Sequence, residues 1–114
     1  MKRSSDPRTA SLETVSAPGD SETRVRVSGV LDFDTVPELM RQASSLLSDA
    51  GSIVVDFSGV SNCNSAGLAV ILEMARLMRQ REKKICFQSL PEQIHTFARA
   101  YSVEKALAEA NLLC

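Results

Sequence analysis

The sequence predicts an α/β fold: a small mixed β-sheet of about four strands, an edge hairpin plus parallel strands, packed with three to four helices. Three observations carry this. Val25 and Val27 alternate with Arg24 and Arg26, the period of two expected of a strand with one face covered. Ile53-Val54-Val55 is a continuous β-branched run, which suits a central strand buried on both faces. Between and after these runs, apolar residues recur at helical spacing, and such alternation of strand and helix implies parallel pairing through right-handed crossovers.

The elements follow in order. Residues 1–10 are polar, include Pro7, and read as a mobile tail; residues 11–114 read as one domain. Residues 11–16 alternate weakly and form an edge strand, joined through the turn cluster Pro18-Gly19-Asp20-Ser21 to a strand over 22–30. Asp34 or Thr35 caps the next helix, with Pro37 and Glu38 in its first turn and Leu39, Met40, Ala43, Leu46 and Leu47 along it; Gly51 stops it. A strand over 52–57 is followed by a loop over 58–64 and a long helix over 65–81. Residues 84–88 form another strand. Pro91 opens a helix with Ile94, Phe97, Ala98 and Tyr101 on one face, and a short helix runs over about 104–110.

Composition narrows the function classes. The chain has 114 residues, one domain's worth, 44% hydrophobic and 24% charged, so it is a globular chain able to bury a core without disulfide or metal. Net charge is −1, aromatics are 4% and Trp is absent, which leaves nucleic-acid binding without a basic stripe or stacking platforms. Cys63, Cys86 and Cys114 are widely spaced with no CxxC, so neither a zinc site nor a dithiol redox motif is supported, and the thiols read as buried or spectator groups in a reducing compartment. The first residues lack an apolar h-region, and no run approaches a membrane span; a cytoplasmic protein is expected. Catalysis has little support: Ser65 would need a base, the sole histidine is His95 on a later helix, and no nucleophile elbow, P-loop or cofactor motif is present.

One segment concentrates the signal: Val54-Val55-Asp56-Phe57-Ser58-Gly59-Val60-Ser61-Asn62-Cys63-Asn64-Ser65-Ala66-Gly67-Leu68. A strand that opens into a helix leaves unpaired N–H groups at the positive end of the helix dipole. Asn64 or Ser65 can accept one of them, and Gly67 allows close approach at the first turn. Such a place suits a partner's polar group or a phosphate.

The segment resembles the signature of STAS domains, in which a strand ends in Asp-(apolar)-Ser-Gly-Val and Asp-Ser/Thr-x-Gly-Leu opens a helix. Val27-Ser28-Gly29-Val30-Leu31-Asp32 is similar to that family's Gly-x-Leu/Ile-Asp turn, and the resemblance covers about residues 11–110. It implies a STAS-like fold and a binding module that is not an enzyme. In the antagonist branch, the resemblance makes Ser65 the residue that an anti-sigma-factor kinase phosphorylates; Asn64 replaces the usual Asp beside it. In the branch of the Mla phospholipid transport system, Ser65-Ala66-Gly67-Leu68-Ala69 and Thr96-Phe97-Ala98-Arg99-Ala100-Tyr101 have counterparts. That resemblance implies a subunit that binds the ABC-type ATPase of a system maintaining outer-membrane lipid asymmetry. Its place would be the cytoplasmic face of the inner membrane, reached through the complex and not by insertion. No cofactor or metal is implied.

The long helix adds a second question. Stepping ~100° per residue from Leu68 places Leu68, Ile71, Leu72, Ala75 and Met78 on a sheet-covering side and Val70, Met74 and Leu77 on a second apolar stripe. Either other helices cover that stripe, or it is exposed and docks a partner. The expected docking surface is Asn62, Asn64, Ser65 and Ala66 with Val70, Met74 and Leu77.

Overall fold

The computed structural model describes residues 9–17 and 19–114. Most of the expected tail, and Pro18 of the expected turn, lie outside them. Eight elements follow in order: β1 Ala10–Thr14, β2 Thr23–Leu31, α1 Val36–Asp49, β3 Ser52–Cys63, α2 Ala66–Gln80, β4 Lys84–Gln88, α3 Glu92–Ala100 and α4 Glu104–Glu109. The sheet order is β1-β2-β3-β4; β1 pairs antiparallel with β2, and β2-β3 and β3-β4 are parallel. The expected mixed sheet with an edge hairpin is therefore observed. The first strand begins at Ala10, inside the stretch read as tail, because Ala10 pairs with Gly29.

The alternation of β2 sends Val25 and Val27 into the core. Ile53, Val55 and Phe57 of β3 and Ile85 and Phe87 of β4 continue that apolar layer, with Phe57 and Phe87 meeting edge to face at 5.9 Å between ring centroids. Leu39, Ala43 and Leu47 of α1, Ile71 and Met78 of α2, and Ile94 and Ala98 of α3 pack into the same core. Spacing of four residues on α1 and α3 and of seven on α2 keeps each set on one helix face.

β3 is longer than expected. The segment read as a loop over 58–64 is mostly strand, since Ser28, Gly29, Val30 and Leu31 of β2 supply partners for Gly59, Val60, Asn62 and Cys63. The ladder absorbs its mixed polarity through register shifts between Arg26 and Ser28 and between Gly29 and Val30. Glycine makes the irregularity possible: Gly29 has φ +98, and a Cβ on Gly59 would fall 2.3 Å from Ser28 Oγ and 2.9 Å from the Val27 carbonyl oxygen. The lengthened strand carries Asn64 to the same end of the sheet as the β2–α1 turn.

The cysteines also differ from expectation. Cys63 is free and buried, but Cys86 and Cys114 form a disulfide. Their separation of 28 residues gave no spacing signal; the topology brings them together.

Candidate docking surface

β2 and β3 end side by side, Leu31 opposite Cys63, and each then turns into a helix. The Asn64 N–H donates to the Leu31 carbonyl at 3.0 Å, tying the two turns together. On the first turn, Asp32 Oδ1 accepts the N–H groups of Asp34 and Thr35, both at 2.9 Å. Thr35 is buried, and its hydroxyl accepts from the Asp32 N–H at 3.0 Å and donates to the Val30 carbonyl at 2.7 Å. Thr35 is thus the N-cap residue by position, but it braces the turn with its hydroxyl instead of capping α1 with it. This closed set of bonds leaves Phe33 standing outward, 68% exposed.

On the second turn, Asn64 Oδ1 accepts the Ala66 N–H at 2.8 Å, so Asn64 performs the capping that the sequence offered to either residue. Ser65 occupies the N-cap position with helical backbone angles and no side-chain cap bond. Its carbonyl accepts from Leu68 and Ala69, while its hydroxyl, on a half-buried residue, is not spent on the helix. Asn62 is exposed at the end of β3, beside Val30. Ala66 is fully buried, so it supports the turn from inside and offers no contact. Gly67 packs against α3, where a Cβ would lie 2.8 Å from Ile94 Cδ1.

The apolar stripe of α2 requires correction. Val70 is 0% and Met74 1% exposed, and Leu77 is half-buried, so the ordinary-core reading holds for this stripe and the docking reading of Val70, Met74 and Leu77 does not. Gly67, Ile71, Met74 and Met78 form the centre of a single buried arc, spanning roughly 200° at 100° per residue. The arc is wide because α2 lies on the sheet with α1 and α3 packed beside it. The residue left outside is Leu72, 43% exposed, which the sequence had assigned to the sheet side. It sits with exposed Ala69 and with the Glu73–Arg76 ion pair on the outer face of α2.

The motif aspartate has a structural job. Asp56 Oδ1 accepts the Ser58 N–H at 2.8 Å, and Oδ2 accepts the Ser58 hydroxyl at 3.0 Å and Arg26 Nε at 3.5 Å. Partial burial pushes its pKa up, but the two bonds from Ser58 and the Arg26 guanidinium outweigh this and hold the carboxyl below its ordinary value. Burial pushes the Cys63 thiol up, which suits an inert core residue. Among the described residues no cluster of His, Cys, Asp or Glu could hold a metal ion, and no helix is long and apolar enough to cross a membrane.

Asn62, Asn64 and Ser65, expected on one docking surface, lie together where β3 opens into α2; Phe33 and Leu72 were not among the residues expected to dock. A signal for Phe33 was present: an aromatic between Asp32 and Asp34, in a turn whose neighbours hydrogen-bond locally, has no core to enter.

A search of the curated proteins gave no match. Among solved structures, the chain is similar to an anti-sigma-factor antagonist from Mycobacterium paratuberculosis at TM-score 0.67 and 21% identity, covering 87% of this chain and 90% of that one. It is similar to the antagonist SpoIIAA in its unphosphorylated form at TM-score 0.63 and 14% identity, covering 82% and 83%. A murine anion transporter, solute carrier 26 family member A9, matches at TM-score 0.69 and 12% identity over 93% of this chain but 20% of the transporter. These likenesses show the fold, and no enzyme family is indicated. A family model described as "Mlab, STAS domain" matches residues 15–113, and the chain belongs to that family of STAS domains.

Proposed function

We propose that this chain is a non-catalytic, cytoplasmic STAS subunit that binds and supports the ABC-type ATPase of an Mla-type phospholipid transport system. The observation that carries a docking role is the exposure of Phe33, on the turn that the Asn64 N–H ties to the Asn62–Ser65 turn, and of Leu72 on the outer face of α2. Exposed apolar groups near oriented polar ones suit a protein–protein contact. The family match supports an ATPase as the partner. Asn64 supports it too, since its neutral side chain is committed to the helix cap.

A second reading is favoured by one observation. The Ser65 hydroxyl is not used in capping, so it is free to accept a phosphoryl group at the α2 N-terminus, as an antagonist regulated by an anti-sigma-factor kinase would require. Affinity purification of the tagged chain from its host, with mass spectrometry of the partners and of the chain, separates the two. The transporter reading expects an ABC-type ATPase and unmodified Ser65. Recovery of a small kinase, or a phosphate mapped to Ser65, would replace it with the antagonist reading.

A further inference from the structure

The outer edge of β4 is not left open. Residues 112–114 lie along it as a short parallel strap, with Leu113 bridged to Phe87. The Phe87 N–H donates to the Leu112 carbonyl at 2.8 Å, and the Cys114 N–H donates to the Phe87 carbonyl at 3.0 Å. Leu112 packs partly against the core, whereas Leu113 and Cys114 are exposed. Asn111 and Leu112 also line a cleft of about 600 Å³, together with Arg79, Lys84 and Ile85. With the Leu112 N–H donating to the Leu107 carbonyl at 3.1 Å, three backbone bonds and one half-buried leucine are still a thin attachment for an exposed segment. The Cys86–Cys114 bond, with Cα atoms 5.2 Å apart, is what closes it.

We propose that Cys86–Cys114 is a thiol–disulfide exchange site that holds or releases the strap, and with it the edge of β4. The two sulfurs differ in access: Cys114 is exposed and Cys86 half-buried. A small-molecule thiolate therefore attacks Cys114 Sγ. A mixed disulfide forms there, the Cys86–Cys114 bond breaks, and Cys86 leaves as a thiolate that takes a proton from water. A second thiolate attacks the small-molecule sulfur of that mixed disulfide, forming the small-molecule disulfide and releasing Cys114 as a thiolate that takes a proton from water. A low-molecular-weight disulfide drives the same steps in reverse. Release leaves the Phe87 N–H and carbonyl unpaired on an edge that can accept another strand, and removes Leu112 from the lining of the cleft. Cys63 takes no part, being buried elsewhere in the core.

The test equilibrates the folded chain with reduced or oxidised glutathione, quenches it, denatures it, labels free thiols and weighs it. The oxidised sample should take one label, at Cys63, and the reduced sample three. Partial exchange should leave glutathione on Cys114, not on Cys86. In parallel, hydrogen exchange at the Phe87 amide should accelerate on reduction at least ~10-fold more than at the Val55 and Ile71 amides, whose exchange follows global stability. The variant Cys114→Ser should exchange at Phe87 as fast as the reduced chain. Three labels in the oxidised sample, an adduct on Cys86, or equal Phe87 exchange in both states would overturn the proposal.

Discussion

At the residue scale, the turn between β3 and α2 divides its work between neighbours. Asn64 caps and Ser65 does not, so the two should respond differently to alanine. Asn64→Ala should cost about 1 kcal/mol in urea unfolding, whereas Ser65→Ala should stay within about 0.5 kcal/mol, as a substitution away from any such bond does. Asp56 makes a pH-dependent contribution. Its folded pKa lies below the unfolded one, so its stabilisation is present above the unfolded value and is lost as pH falls through the folded value. Asp56→Asn should therefore be less stable than the parent at neutral pH, and thermal melts of the two should converge as the pH drops below roughly 4. The capping at 64 or 65 was legible in the sequence because Asn and Ser before an apolar helical run carry that chemistry. Which of the two would cap was not, since both side chains can reach the same N–H groups and only the backbone angles decide.

At the element scale, α2 shows where a helical projection stops being informative. Its apolar residues were counted correctly, but their division into two stripes assumed one covering layer. With α1 and α3 flanking it, one wide arc is buried and the boundary moves, taking Val70 and Met74 inside and leaving Leu72 outside. Met74→Ala should lose about 2–5 kcal/mol by leaving a cavity. Leu72→Ala should change the unfolding midpoint little, because nearly half of that side chain already meets water. Equal losses at the two positions would contradict this assignment of faces. β3 teaches a similar lesson. Residues 52–57 announced themselves by their β-branched run, but 58–63 carry glycine, serine and asparagine and read as loop. Their strand state comes from β2, whose edge past Ser28 would otherwise be unpaired, and that pairing is a non-local fact.

At the scale of the whole molecule, the antiparallel hairpin and the parallel pairing followed from the alternation of strand and helix, whereas the order β1-β2-β3-β4 and the meeting of both turns at one end came with the structure. The disulfide did not follow, because it depends on how residues past α4 return to β4. Closing a 28-residue separation, it should add roughly 3 kcal/mol of stability, so a reductant should lower the melting temperature without unfolding the chain at ambient temperature. Phe33 is exposed on the turn after β2, beside the end of β3, and Leu72 is exposed on the outer face of α2; the central claim is that a partner docks there, around the Asn62–Ser65 turn. The most direct test is the affinity of the purified chain for the purified ABC-type ATPase of its host, measured by biolayer interferometry beside Phe33→Asp and Leu72→Asp, each first shown to melt like the parent. The account predicts binding by the parent and a loss of at least ~10-fold in each variant, the effect of removing an apolar anchor worth ~1.4 kcal/mol or more. Undiminished binding by both variants would contradict it.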